Sequence, residues 1–535
     1  MKKYIFLVVL CFNILAISSQ RVVTIPGGIV PGDSLVYDQI FTFLKEDASN
    51  RVANPNTIYE LERGKVYLTR SAVDANYDLH IRAGSANPEK HMPLVLHTQT
   101  LSGSNNTAIL TARKNLKLEN IEFDTQHADH TFGNRVIKIA STNSRAIFKG
   151  CRIVNDRGAL VTIDSGDKLK LYINDCIMGN SGHFISVGGN GRLLDIRPNV
   201  ISVDTVVIQN TTAYNYSDRM FRNMLQVINY VKLDHMSMVN IQGYHGCVQL
   251  GKTKEAHITN NIFANPLTYG DRIGARYTSE QLQPDKKFAV ITHDSLASQL
   301  KSATVTLRNN NIYFDKKLED FFNVVTNPDT VLYPQEVNSY IRNYHLPADV
   351  SKAYFKEPLT LKNTSSSDML LDFSELYFEN QNLGVYPNNF SSIYPFEWDV
   401  SYSTSSKSYT AGDDGYPLGD LNAWPELKAR WEQKLPARVG SSPVRGIESI
   451  ANFPNPFKTS IEFTYEVTLE QQVEISVFNL TGQLVATVHR AMHQPGRYQQ
   501  LWEATDASGH ALERGIYYVR YTTDNGTFTQ KVIKD

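Results

Sequence analysis

Short segments of alternating apolar and polar residues fill the middle of the chain, and the same segment returns about every 25 residues. Each copy has two apolar residues spaced by two, then a polar or glycine residue, here called the anchor, and then two more apolar positions. Alternation with a period of two is typical of β-strands. The anchors are Asn120, Gly150, Asp175, Asn210, His235, Asn260 and Asn309.

A second short apolar segment lies between successive copies. Its members are Ile137/Ile139, Val161/Ile163, Ile185/Val187, Leu225/Val227 and Val248/Leu250. Short strands with this repeat predict an all-β fold, a parallel β-solenoid in which each strand pairs with its equivalent one coil later. Asparagine suits the anchor because it tolerates a left-handed backbone and its amide can hydrogen-bond along a stack. A β-sandwich or a propeller is the alternative, but the constant register of the anchors favours the solenoid.

The solenoid register makes a specific prediction about the interior. It stacks Ile121, Cys151, Cys176 and Thr211 on one another in successive coils. We expect the two cysteines to be reduced core thiols, because aligned side chains on paired strands rarely have the geometry of a disulfide.

The flanking segments predict how the solenoid begins and ends. Residues 34–46 have the pattern of a short amphipathic helix that covers the open end, and 57–68 and 94–96 are predicted first strands. Beyond residue 315 the repeat decays. The predicted organisation is therefore a cap with first coils at 20–110, a parallel β-helix at 111–315, and last coils with irregular packing segments at 316–433.

The first nineteen residues have the pattern of a secretory signal peptide. Lys2 and Lys3 precede an apolar run over 4–17, and Ser18 and Ser19 supply small residues for cleavage. A buried N-terminal helix or a membrane anchor is the alternative, and the polar stretch from 20 to 33 argues against it. We expect no transmembrane segment in the mature chain.

Composition and charge exclude several classes of protein. The chain has 535 residues with 53 basic and 54 acidic side chains, so a dedicated nucleic-acid-binding protein is not expected. Four cysteines are too few for a disulfide scaffold. Motifs of a nucleophile elbow, a P-loop or a zinc protease are absent from the sequence. We expect a monomer.

The last part of the chain has a different pattern. Residues 434–449 predict a linker, and 450–535 contain six or seven short alternating strands, as in an Ig-like β-sandwich. The order of Phe453-Pro-Asn-Pro-Phe457, Gly482, Gly509 and Gly515 resembles the type A C-terminal sorting domain of the type IX secretion system. That resemblance implies export by this machinery through 450–535, followed by release or attachment to the outer-membrane surface. A carbohydrate-binding sandwich is the alternative.

The coils themselves resemble the right-handed parallel β-helix of the pectin-lyase-like superfamily. In addition, residues 409–425 resemble a closing motif of secreted Bacteroidetes β-helix proteins. The resemblance implies a polysaccharide groove between one sheet and the loops that enter it. It favours a pectate-lyase-like polysaccharide lyase that acts on a uronate-containing glycan, an acidic polysaccharide. A noncatalytic glycan-binding or surface protein is the alternative.

Arginine, tyrosine and histidine side chains occur together in the loops that would border this groove. Arginine pairs with carboxylates and tyrosine stacks on sugar rings, although lone residues of these types in loops are more often structural. The candidate catalytic residues are Arg219, Arg222 and His245. The candidate substrate-binding residues are Arg157, Tyr214, Tyr216, Tyr244, Lys252, Arg272 and Arg276.

Calcium is a candidate cofactor because carboxylates are its usual ligands. The acidic residues considered for it are Asp413, Asp414, Asp420, Asp164 and Asp167. The outward strand positions lack a row of aspartates on successive coils, which departs from calcium-dependent pectate lyases. Asp-Gly turns also need no metal.

Overall fold

The structure is a computed structural model, and its contacts divide the chain into two units, Met1–Ala423 and Trp424–Asp535. The described residues are 20–28, 35–98, 108–126, 133–182, 191–223, 225–241, 247–266, 290–293, 303–318, 320, 341–342, 354–364, 398–434, 447–467 and 469–535. The predicted signal peptide lies outside these ranges. The finer domain boundaries proposed from the sequence stay predictions.

The first unit is a parallel β-solenoid whose coils have three strand-forming faces. Face 1 consists of Val22–Ile25, Ile58–Leu61, Leu79–Ala83, Leu116–Glu119, Arg145–Lys149, Leu169–Asn174, Lys252–Thr259 and Thr304–Arg308. Face 2 consists of Val66–Thr69, Leu94–His97, Glu122–Asp124, Arg152–Asp156, Ile177–Ser181, Ile262–Ala264, Asn310–Tyr313 and Tyr354–Phe355. Two long strands, Ser202–Tyr216 and Val227–Ile241, run through faces 1 and 2.

Face 3 completes each coil before the chain returns to face 1. Its strands are Val73–Ala75, Leu110–Ala112, Ile137–Ala140, Val161–Ser165, Leu194–Ile196, Phe221–Asn223, Val248–Gln249, Ile291–Thr292 and Ile341–Arg342. Each strand pairs in parallel with the equivalent strand of the next coil, so the predicted solenoid is confirmed.

The anchors form the corner between faces 1 and 2. All seven predicted anchors have a left-handed backbone, with φ between 45° at Asn210 and 64° at Gly150. A single left-handed residue turns the chain sharply while both neighbouring strands keep their pairing. The amide ladder is also present, since Asn309 Nδ2 donates to Asn260 Oδ1 at 3.2 Å.

A second ladder of left-handed asparagines, which was not predicted from the sequence, ends face 2. Its members are Asn155, Asn180, Asn215, Asn240 and Asn265. Asn265 Nδ2 donates to Asn240 Oδ1 at 3.0 Å, and Asn155 Nδ2 donates to the Asp124 carboxylate at 2.9 Å. The sequence feature that could have predicted this second ladder is the recurrence of asparagine five residues after an anchor.

Inward side chains fill the solenoid with one continuous apolar core. The predicted stack is confirmed, because the backbone N–H groups of Arg152, Ile177 and Thr212 donate to the carbonyls of Ile121, Cys151 and Cys176. Ile121, Cys151, Cys176 and Thr211 therefore take equivalent positions in successive coils, and all four are buried. Cys151, Cys176 and Cys247 are all unpaired and buried. The thiols therefore serve as small core side chains.

The structure corrects one predicted segment of face 3. The prediction of a face 3 strand at Leu225/Val227 was wrong, because the strand of that coil is Phe221–Asn223. Leu225 is exposed, and Val227 already begins the following strand of face 1. The predicted pair Ile185/Val187 lies outside the described residues.

A short helix covers the first coil, as predicted. Helix α1 (Gln39–Glu46) places Ile40 and Leu44 against the end of the core, and helix α2 (Ala48–Ala53) follows it. Covering the terminal coil removes apolar surface from water at the end of the stack, where no further coil can do so.

Residues 398–423 pack against the outer side of face 2 and its corner. This segment contains three 3₁₀ turns, Lys407–Tyr409, Asp413–Gly415 and Leu421–Ala423. Asp413 accepts hydrogen bonds from Arg308 at 2.8 Å and Asn309 at 2.9 Å, and Asp420 accepts one from Thr212 at 2.7 Å. The segment is thereby tied to several coils.

The second unit begins with helix α3 (Pro425–Lys434) and continues as a β-sandwich. One antiparallel sheet contains Ile447–Phe453, Ile461–Val467 and Gly496–Trp502. The other contains Gln471–Phe478, Leu484–His493, Gly515–Thr523 and Gly526–Lys534. Phe463 of the first sheet and Tyr521 of the second pack edge to face in the shared core, which confirms the predicted sandwich.

Candidate functional site

The outer side of face 3 carries a row of polar side chains, one from each coil. The register aligns Lys138, Thr162, Asp195, Arg222 and Gln249 in successive strands, while the residues on either side of most of them point into the core. Neighbouring members are separated by one strand spacing, about 4.8 Å. The fold therefore places chemically distinct groups in a line along the solenoid axis.

Around this row lies a group that we call the arginine cluster. Its members are Arg192, Asp195, Arg197, Asp218, Arg219, Arg222 and Gln249. Asp195 is at its centre, 2.9 Å from Arg222, 3.4 Å from Arg197 and 3.5 Å from Arg192. One buried carboxylate thus contacts three guanidinium groups.

Asp218 provides the second negative charge of the arginine cluster. Its carboxylate lies 2.7 Å from Arg192 and 3.0 Å from Arg219, and Arg219 also donates to the side-chain oxygen of Gln249. Among the residues that the structure describes, the cluster contains four arginines and two aspartates, so these seven side chains together carry an excess of positive charge. Such an excess attracts anions.

The arginines of the cluster differ in their access to solvent. The side chain of Arg219 is 4% exposed, that of Arg222 is 16% exposed and that of Arg197 is 33% exposed. Burial lowers the pKa of Arg219, and the charges of Arg192 and Arg222 act in the same direction, against the opposing effect of Asp218. Arg197 and Arg222 are the members best placed to contact a ligand.

The structure brings two of the predicted catalytic residues together, Arg219 and Arg222. The third, His245, lies outside the described residues, as do Tyr244, Arg272 and Arg276. Their roles stay predictions.

The remaining predicted residues are distributed over the coil. Tyr214 lies on the outer side of face 2, where its ring packs on Trp398 with centroids 3.8 Å apart. Tyr216 points into the core and donates its hydroxyl hydrogen to the Met178 carbonyl at 2.8 Å. Arg157 is exposed in the loop after face 2, and Lys252 begins a strand of face 1. None of these four lies in the arginine cluster.

Sequence reasoning missed four members of the arginine cluster. They are Arg192, Asp195, Arg197 and Asp218. The alternation Leu194–Asp195–Ile196 could have indicated Asp195, because on a strand with two inward apolar residues the side chain between them faces outward.

The carboxylates considered for calcium already have protein partners. Asp413 contacts Arg308, Asn309 and Asn260, and Asp420 contacts Thr212 and Asn422. Asp164 lies 3.9 Å from Lys138, and Asp167 accepts from Ser202. Among the residues that the structure describes, no three histidine, cysteine, aspartate or glutamate side chains converge on one point. Calcium as a cofactor stays a prediction, and we derive no step through the metal.

Two buried carboxyl groups at the end of face 2 predict a pH dependence of stability. Burial raises the pKa of Asp124 and of Asp156 to about 7. An unfolded aspartate titrates near 4, so the folded chain binds more protons between about pH 4 and pH 7, and its stability falls as the pH rises through that range. Asp156→Asn should reduce this fall, as measured by denaturant unfolding at about pH 5 and about pH 8.

Asp164→Asn is the matched control for that measurement, because Asp164 is partly exposed on the same coil. An Asp156→Asn protein whose stability changes with pH as much as that of the unsubstituted protein would contradict the prediction.

Comparison with known proteins identifies the C-terminal module. Residues 451–535 match the family model described as a secretion system C-terminal sorting domain. This module is a type IX secretion sorting domain. The protein is accordingly secreted or located at the cell surface, and the sorting domain implies contact with the secretion machinery. Within the described residues, no helix is long and apolar enough to cross a membrane.

The other comparisons add little. No curated protein sequence matches the chain. A crystal structure of dimeric latent PorU from Porphyromonas gingivalis is 21% identical over 18% of this chain and 10% of that chain, with a TM-score of 0.15. The chain thus covers about a tenth of that structure, and a likeness of this size carries no conclusion about fold or activity.

Proposed function

We propose that the protein binds a uronate-containing polysaccharide along the outer side of face 3, outside the cell. The arginine cluster is the observation that carries this proposal, because its excess of guanidinium groups matches the carboxylates of such a chain. Arg197 and Arg222 are its accessible members. The strand spacing of about 4.8 Å, close to the length of one sugar residue, lets consecutive coils contact consecutive sugars.

The resemblance of the coils to the pectin-lyase-like superfamily supports the same choice of ligand. In that superfamily the polysaccharide lies between one sheet and the loops that enter it. If the resemblance holds, face 3 and the loops that follow face 2 would form the corresponding groove. This support rests on an analogy of fold. The positive charge of the arginine cluster is an independent argument for an acidic polysaccharide.

The test compares two forms of one polysaccharide. Pectate should retain the protein in affinity electrophoresis, whereas fully methyl-esterified pectin, which lacks the negative charges, should not. The double variant Arg197→Gln/Arg222→Gln should bind pectate at least about tenfold more weakly, because each lost charge-assisted hydrogen bond weakens binding. Lys149→Gln, an exposed change on face 1, is the control. Equal binding to both polysaccharides, or by the double variant, would refute the proposal.

A second candidate function is cleavage of the same polysaccharide by β-elimination. Burial lowers the pKa of Arg219, which makes its neutral form, the one that can accept a proton, easier to reach than in an exposed arginine. A neutral Arg219 would take the C5 proton of the uronate. The electrons of that C–H bond form the C4–C5 double bond, the bond from C4 to the glycosidic oxygen breaks, and water protonates the leaving oxygen. Arg222 would pair with the uronate carboxylate.

Cleavage ranks below binding because Arg219 is almost fully buried and already donates to Asp218 and Gln249. The assay is ultraviolet absorbance of unsaturated uronate after incubation with pectate, alginate or glycosaminoglycans, with added calcium and with a chelator. Product formation that Arg219→Lys abolishes, with binding retained, supports catalysis. Binding without product from any substrate leaves a noncatalytic glycan-binding protein.

A further inference from the structure

An open groove with a volume of about 740 Å³ runs along the outer side of face 1. It is lined by strands of three successive coils, which contribute Leu79, Leu116 and Arg145, and by the beginning of the next coil, which contributes Lys170. None of the seven residues of the arginine cluster lines it. The groove is therefore a separate feature of the solenoid.

Hydrogen bonds between coils fix the floor of the groove. Asp78 accepts from the backbone and the side-chain amide of Asn115, at 3.1 and 3.0 Å. Asn115 Oδ1 in turn accepts from the backbone N–H of Arg145 at 2.9 Å. Three consecutive coils are thus held in register at this point. A groove whose walls are already ordered loses little conformational entropy when a ligand binds.

The charges in the groove are only partly neutralised. Lys117 pairs with Glu119 at 2.9 Å, and Lys170 pairs with Asp204 at 3.3 Å. The guanidinium of Arg145 lies 5.9 Å from the centre of the Tyr172 ring and, among the described residues, has no carboxylate partner.

Lys168 is the second cation of this kind. It is exposed at the turn into the next coil, with no carboxylate partner in the described part of the chain. Arg145 and Lys168 thus present two unneutralised positive charges on adjacent coils.

We propose that this groove is a second ligand site, which binds an acidic oligosaccharide through a carboxylate or sulfate group held by Arg145 and Lys168. The Asp78 and Asp204 carboxylates accept hydrogen bonds from sugar hydroxyls, and they repel a dense polyanion such as a nucleic acid. The volume falls within the range of about 300 to 1,000 Å³ that is usual for small-ligand sites. The site does not depend on the function proposed for face 3.

Calorimetric titration of the full chain tests the proposal with three probes. Trigalacturonate carries carboxylates only, a heparin-derived disaccharide carries sulfates in addition to a carboxylate, and maltotriose is neutral. We expect one or both acidic probes to bind and maltotriose not to bind. Arg145→Gln and Lys168→Gln should each weaken that binding about tenfold, because each removes one charge-assisted contact. Tighter binding of the disaccharide indicates that sulfate contributes to recognition, whereas tighter binding of trigalacturonate indicates that carboxylates suffice.

Two further variants separate this site from the arginine cluster. Lys149→Gln removes a lysine from the same face outside the groove, and it should bind as the unsubstituted protein does. Arg222→Gln changes only the cluster and should retain groove binding even if binding of long pectate is lost. Thermal unfolding of each variant checks that it is folded.

The outcomes are distinct for the two sites. Unchanged affinity in both Arg145→Gln and Lys168→Gln, or equally strong binding of maltotriose, would overturn the groove proposal. If Arg222→Gln alone loses all binding, the groove proposal fails and the face 3 proposal stands. If only the two groove variants lose binding of the short acidic probes, and Arg222→Gln binds long pectate as strongly as the unsubstituted protein does, the groove proposal stands and the face 3 proposal fails.

Discussion

Replacing Asp195 with asparagine should destabilise the solenoid by about 3–5 kcal/mol, because removal of one partner leaves buried charges uncompensated. The Asp195 carboxylate is almost fully buried and contacts Arg192, Arg197 and Arg222. An asparagine has the same shape but no charge, so the change isolates the electrostatic contribution. Denaturant unfolding of the full chain, followed by circular dichroism, measures the loss.

Asp164→Asn provides the matched control for Asp195→Asn. Asp164 belongs to the preceding strand of face 3, is partly exposed and lies 3.9 Å from Lys138. Loss of an exposed ion pair costs at most about 1 kcal/mol. If the two substitutions had equal effects, Asp195 would not be the residue that holds the arginine cluster together.

Replacing Phe148 with alanine should cost about 3–5 kcal/mol, because it leaves a cavity in a core that cannot fully relax around it. Phe148 is fully buried and stacks between Leu118 of the preceding coil and Ile173 of the following coil. In a solenoid each coil contacts only its neighbours, so the damage is expected to lower the stability of the adjacent coils first. Hydrogen exchange resolved by peptide should show faster exchange around those coils.

Lys149→Ala is the control for Phe148→Ala, since it removes the next side chain on the same strand from an exposed position. A change of about 0.5 kcal/mol or less is expected for it. A Phe148→Ala protein as stable as Lys149→Ala would be incompatible with an inward-facing Phe148.

The sequence allowed the solenoid to be predicted because its strongest signals are local. A left-handed anchor tolerates few residue types, and the apolar positions beside it alternate with a period of two. The strands of face 3 were harder to predict, since Leu194–Ile196 and Phe221–Asn223 have only three residues each. Three residues give too short an alternation to distinguish a strand from a loop.

The candidate site could be predicted only in part for a related reason. Tyr214 and Tyr216 are two residues apart, so simple alternation places both on the same side of the strand. The left-handed Asn215 between them reverses the direction of the chain, and Tyr216 turns into the core while Tyr214 stays outside. The partners of Arg219 and Arg222 come from other coils, and their approach depends on the register between strands.

Stacking of equivalent residues along a single axis is the claim on which the rest depends, and distances between spin labels measure it directly. Register places Lys117, Lys232 and Thr306 in one outward column of face 1. Lys232 follows four strand spacings after Lys117, and Thr306 follows six, so we expect backbone separations of about 19 Å and about 29 Å. If the separation between Lys117 and Thr306 does not exceed that between Lys117 and Lys232 by two strand spacings, the result would contradict the solenoid.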